Sequence, residues 1–130
     1  MWSLAQIHAP EQKTILIIED EPAIRTMAAK AIHSFGYQTL EAEDGEKGIE
    51  LFETAHASID AILLDIILPK MSGIQTFEKI LHIDPDASII ITSGHITNQD
   101  QKSIFAKARG FLEKPYQIME LKKMIHLALA

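Results

Sequence analysis

The chain has 130 residues, 47% of them hydrophobic and 23% charged, the proportions of one ordinary globular domain and not of a disordered segment. It has no cysteine, which excludes disulfides, thiolate metal sites and cysteine nucleophiles, and it has no apolar run long enough to span a membrane. The net charge is −6, with 4 basic against 12 acidic side chains in residues 1–65 and 8 against 6 thereafter; an acidic domain without a basic stripe is poorly suited to direct nucleic-acid binding.

Residues 1–13 lack the basic and apolar regions of a secretory signal. Residues 1–12 are expected to form a flexible N-terminal extension and residues 13–130 the folded domain. Residues 14–19 (TILIIE) are continuous and β-branched, the pattern of a strand buried on both faces. Pro22 then stands at a first helical position, Ile24, Met27, Ala28, Ala31, Ile32 and Phe35 recur at helical spacing, and Gly36 ends the run. Residues 37–41 give a second strand, Asp44 and Gly45 a turn, and the stretch to Ala55 a second helix. Residues 61–65 (AILLD) give the third strand, residues 68–73 (LPKMSG) a loop, and Ile74, Phe77 and Leu81 a helix.

After a turn at residues 84–86, residues 88–92 (SIIIT) form the fourth strand and residues 98–109 a polar helix. Residues 110–113 (GFLE) are a short fifth strand, and residues 116–129 close the chain as a helix with Ile118, Leu121, Ile125 and Ala128 on one face. Five strands alternating with five helices imply an α/β fold, a parallel sheet covered on both faces. Such sheets bind ligands beyond the carboxyl ends of their strands, at the switch point of the strand order.

Those ends carry Glu19, Asp20 and Glu21, then Asp65, then Thr92, Ser93 and Gly94, and finally Lys114 and Pro115. In one sheet, carboxylates, a hydroxyl and an ammonium would share one rim. Two carboxylates ~4 Å apart repel by roughly 4 kcal/mol at an effective dielectric near 20, so the cluster calls for a cation or a proton. Oxygen donors without histidine suit a hard divalent ion, Mg²⁺ or Mn²⁺. Asp65 could then attack phosphorus and form an acyl phosphate, with Lys114 and a hydroxyl on the equatorial oxygens.

The segments ILIIEDE (15–21), LLDIILPKMSG (63–73), IIITSGH (89–95) and GFLEKPY (110–116), in this order and spacing, resemble the receiver domains of two-component response regulators. The resemblance covers nearly all of the chain after the first dozen residues. It implies a single doubly wound, flavodoxin-like (βα)5 domain with strand order 2-1-3-4-5. It implies Asp65 as phosphoacceptor, Asp20 as direct metal ligand, Glu19 acting through water, and the backbone carbonyl of Ile67 as a further ligand. Ser93 takes the place of the family's hydroxyl residue, with the small Gly94 beside it; Lys114 takes that of the lysine, and Phe111 that of the aromatic switch. The Lys114–Pro115 bond is expected to be cis. Glu19 stands where aspartate is more frequent, and Ser88 where proline is usual.

The implied function is a phosphorylation-dependent switch in the cytoplasm, a signalling domain and not an enzyme with an external product. It would be loaded by a histidine kinase or phosphotransfer protein and read by a downstream protein or output domain. The reading surface would be residues 98–109, 110–113 and 116–129, a face that also serves dimerisation on phosphorylation. Each residue also has a plainer reading: Asp65 and Ser93 as caps, Glu21 as a helix-start acid, Lys114 as a solvated lysine, Phe111 as core. Two other functions compete. A Mg²⁺-dependent phosphohydrolase of the haloacid-dehalogenase type wants an aspartate two residues after the nucleophile, where this chain has Ile67. A pseudo-receiver binding module would do without phosphorylation, although every key residue is present.

Overall fold

Each apolar run becomes a strand because it can be buried on both sides only inside a covered sheet. The computed structural model describes residues 12–95, 97–98 and 106–130. Within them β1 (Thr14–Ile18), β2 (Gln38–Ala42), β3 (Ala61–Asp65), β4 (Ile89–Ser93) and β5 (Gly110–Glu113) form one parallel sheet of order β2-β1-β3-β4-β5. The helices are α1 (Pro22–Ser34), α2 (Gly45–Ala55), α3 (Gly73–Ile83) and α4 (Ile118–Ala128). The fold class and strand order expected from the sequence are those observed.

Alternation along the strands divides the core in two. Ile15, Ile17, Leu63, Ile90 and Leu112 face α1 and α4, meeting Ala28, Ile32, Leu121 and Ile125. Leu16, Ile18, Ile62, Leu64, Ile89 and Ile91 face α2 and α3, meeting Ile49, Phe52, Phe77 and Ile80. Each fully buried Ile, Leu or Phe contributes about 1.5–3 kcal/mol, so these two layers are the main source of stability. Their consequence for the site is rigidity at the strand ends.

Element ends differ from the sequence reading for local reasons. β2 starts at Gln38, one residue late, because Gly36 (φ 97°) and Tyr37 are still closing the turn from α1. β4 runs to Ser93 rather than Thr92 because Lys114 N–H donates to Ser93 O at 2.6 Å and extends the pairing. The last helix starts at Ile118 and not at residue 116: Pro115 precedes it, and Gln117 N–H donates to Glu120 Oε1 at 3.2 Å as its cap. The helix expected over 98–109 falls partly outside the described residues. Residues 106–109 are not helical, because Arg109 N–H already bonds Ile89 O at 2.8 Å and leads into β5. The expected extension, residues 1–12, likewise lies outside the described residues apart from Gln12. Among the described residues no helix is long and apolar enough to cross a membrane.

Candidate functional site

β1 lies between β2 and β3, so the chain leaves the ends of β1 and β3 in opposite directions and opens a cleft there. Glu19 is the first residue past β1, and its N–H still bonds Ala42 O at 3.0 Å. Asp65 is the last residue of β3. Both are buried, at 4% and 6% exposure, while Asp20 is exposed. Ligand atoms of Glu19, Asp20 and Asp65 lie within 4.8 Å of one another.

Lys114 enters this cluster from beyond β5. Its Nζ donates to Glu19 Oε1 at 2.6 Å and to Asp65 Oδ2 at 2.9 Å. The Lys114–Pro115 peptide is cis, as expected. The other carboxylate oxygens are held by backbone: Ile67 N–H donates to Asp65 Oδ1 at 3.0 Å, and Glu21 N–H to Glu19 Oε2 at 3.2 Å. Ile67 thus sits two residues past Asp65 on the rim, with its side chain exposed. Among the described residues no hydrogen bond or ion pair holds the Asp20 carboxylate.

Three carboxylates therefore face one ammonium, and their electrostatics show the imbalance. Burial pushes the Glu19 carboxyl above its ordinary range; the Lys114 hydrogen bond opposes this, and the charge of Asp65 adds to it. For Lys114, burial pulls downward, but the bonds and charges of Glu19 and Asp65 outweigh it and hold the ammonium above its ordinary value. Burial and the Glu19 charge also raise Tyr116. The donor set is all oxygen, with one free exposed carboxylate beside two anchored ones. That is the chemistry a hard divalent cation requires, so the residues fit Mg²⁺.

Thr92 pairs with Asp65 across β3 and β4, and Ser93 with Glu113 across β4 and β5. Thr92 lines a small gap with Ile17, Glu19, Ala28, Leu63 and Tyr116. Ser93 falls on the other face, the face of Ile91 and its partner Phe111. Its hydroxyl donates to His95 O and accepts from His95 N–H, both at 3.2 Å. Phe111 is half-buried against the α2/α3 layer. A groove of about 510 Å³ lies elsewhere, between α2 and α3, and holds none of these groups.

Sequence reasoning passed over Arg25 and Ser88. Arg25 Nη1 donates to Glu19 O at 2.7 Å; its position one turn into α1, aimed back toward the helix start, is the signal that could have found it. Ser88 stands where proline is usual in the family it resembles, and its hydroxyl donates to Ala128 O at 2.8 Å, tying the end of α4 to the start of β4.

The sequence matches the response regulator receiver domain family over residues 15–126. It is 33% identical over 108 residues to the chemotaxis protein CheY of Thermotoga maritima, covering 81% of this chain and 88% of that one. It is 31% identical over 109 residues to the sensor kinase CckA of Brucella abortus, covering 83% of this chain but only 12% of the kinase. In fold it is similar to the CheX–CheY–BeF3–Mg²⁺ complex of Borrelia burgdorferi, with a TM-score of 0.86, 26% identity, and 91% and 90% of the two chains covered. It is also similar to the receiver domain of the hybrid histidine kinase CckA, with a TM-score of 0.77, 30% identity, and 90% and 99% covered. A parallel sheet of this order, an acidic cluster at its switch point and a family match over nearly the whole chain agree: the chain belongs to the response regulator receiver domains, the signalling domains of two-component systems.

Proposed function

We propose that Asp65 is the phosphoacceptor of a Mg²⁺-dependent signalling switch, residues 13–130 being the receiver domain and residues 1–12 an extension to it. The observation that carries the reading is the Lys114 ammonium, bonded at once to Asp65 and to Glu19. It neutralises the buried nucleophile and stands where the transferred group's charge must go. In the reaction an Asp65 carboxylate oxygen forms a bond to phosphorus as the P–N bond of a donor phosphohistidine breaks, and the imidazole leaves with a proton. Asp20, Asp65 and the Ile67 carbonyl would hold Mg²⁺ or Mn²⁺ directly, and Glu19 would hold it through water. When bound, the ion neutralises the phosphoryl oxygens and orients them for in-line transfer. Lys114 then follows the phosphoryl charge, and the Ser93 hydroxyl leaves His95 to donate to a phosphoryl oxygen.

Ser93 and Phe111 share one face of the sheet across adjacent strands, which supports Ser93 over Thr92 as the hydroxyl that drives the switch. Movement of Ser93 toward the phosphoryl group frees space for Phe111 and reshapes the surface that residues 110–113 and 116–129 contribute to. A histidine kinase or phosphotransfer protein supplies the phosphoryl group in the cytoplasm. A downstream protein, an output domain or a second copy reads the reshaped face. The net charge of −6 supports a protein reader over direct nucleic-acid contact.

The test is incubation with a small phosphodonor such as phosphoramidate. A single phosphoryl adduct is expected with Mg²⁺, absent with EDTA, and removed by hydroxylamine because an acyl phosphate is a mixed anhydride. An adduct that forms in EDTA or resists hydroxylamine overturns the reading.

A further inference from the structure

The exposed Asp20 carboxylate has no partner among the described residues, so its direction is set by the backbone that carries it. That backbone is the turn between β1 and α1; the Glu19 carboxylate accepts from Glu21 N–H within it at 3.2 Å, and Arg25 holds its carbonyls. Arg25 Nη1 donates to Glu19 O at 2.7 Å and reaches Asp20 O at 3.5 Å. The Arg25 N–H bonds Glu21 O at 2.9 Å as the first turn of α1 closes. On its far side the guanidinium Nε lies 3.7 Å from Glu41 Oε1 on β2, and the Arg25 side chain is only 18% exposed. The planar guanidinium is a fixed fork whose separate nitrogens reach the carbonyls on one side and a carboxylate on the other, whereas a lysine presents its donors from a single nitrogen.

The geometry points to Arg25 as the positioning residue of the metal site: through the carbonyls of Glu19 and Asp20 it sets the turn that presents the Asp20 carboxylate to the cation. This rests on the reading of the acidic cluster as a Mg²⁺ site. Arg25 touches no carboxylate of that cluster and acts through the backbone. Mg²⁺ demands near-octahedral geometry at short distances, so a tilted turn weakens its binding. A second effect of Arg25 has the opposite sign, because a nearby positive charge repels the ion. Glu41 offsets that charge, and the 2.7 Å bond to Glu19 O is direct, so positioning prevails.

The experiment is titration of the metal-free chain with MgCl2 by calorimetry, with Arg25→Ala, Arg25→Lys, Glu41→Gln and Asp20→Ala measured beside the parent and folding checked by circular dichroism. Arg25→Ala and Arg25→Lys are expected to bind Mg²⁺ on the order of tenfold more weakly. Glu41→Gln, which keeps both carbonyl bonds, is expected to stay within about twofold of the parent, because an exposed pair contributes little. Arg25→Ala binding as tightly as the parent, or more tightly, overturns the positioning role while Asp20→Ala still shows the site to be real. Should the alanine variant not fold, Arg25→Lys decides: parental affinity there overturns the proposal. If Asp20→Ala keeps full affinity, it is the metal-site reading itself that fails.

Discussion

Lys114 and Asp65 stand 49 positions apart in the sequence, and their side chains meet at 2.9 Å across the end of the sheet. The same Nζ lies 2.6 Å from Glu19, so one cation holds together two buried carboxylates from two other strands. Removing it leaves both without a countercharge. Lys114→Ala is expected to lose about 3 kcal/mol of stability in EDTA, the low end of the range for breaking a buried pair. Added Mg²⁺ should restore part of the loss by mass action on the folded state. Urea melts with and without the ion measure both, and a variant as stable as its parent in EDTA contradicts the pairing.

The pH dependence follows from the same contact. Lys114 titrates above its ordinary value of 10.5 in the folded chain, because the bonds to Glu19 and Asp65 outweigh burial. A raised value in the folded state means stabilisation that is complete below 10.5 and lost as pH rises through the higher folded value. The stability difference between the parent and Lys114→Met should therefore be flat at neutral pH and shrink on the alkaline side. A difference that grows with alkaline pH contradicts the sign.

Gly73 ties the loop after Asp65 to the start of α3. Its N–H bonds Ile66 O at 3.0 Å, and an added Cβ would lie 2.3 Å from that same oxygen. Backbone cannot yield as a flexible side chain can, so Gly73→Ala is expected to destabilise by about 1–3 kcal/mol. It should also displace Ile67, whose N–H holds Asp65 Oδ1. A thermal melt indistinguishable from the parent's contradicts the close approach.

Phe111 and Ser93 give the prediction for output. Beryllofluoride with Mg²⁺ should shift the NMR signals of Ser93, Phe111 and α4 as well as those around Asp65. Full burial of a half-buried Phe is worth at most about 1.5–3 kcal/mol, so the change is a shift of populations. Shifts confined to the neighbours of Asp65, with Phe111 and α4 unmoved, contradict the coupling.

The parallel sheet and the Glu19–Asp20–Asp65–Lys114 cluster at one end of it were legible because continuous apolar runs announce buried strands, and functional groups of α/β sheets follow them directly; the strand order followed only from the resemblance of four segments to a known family. Arg25 was not, because its partners are backbone carbonyls, which leave no mark on residue type. Ser88 hid for the same reason: a hydroxyl bonded to the last turn of a helix forty residues away follows no periodicity. The end of the fourth predicted helix was misjudged because Ala108 suits a helix and a strand approach equally, and only the pairing of Arg109 with Ile89 decides between them.

The central claim is the acyl phosphate on Asp65, and borohydride addresses it directly, since it reduces an aspartyl phosphate to homoserine. After phosphorylation with Mg²⁺, reduction and peptide mapping by mass spectrometry, the account predicts homoserine at position 65 alone, and none in Asp65→Asn. Homoserine at Asp20 or another acidic residue, or an undiminished adduct on Asp65→Asn, would contradict it.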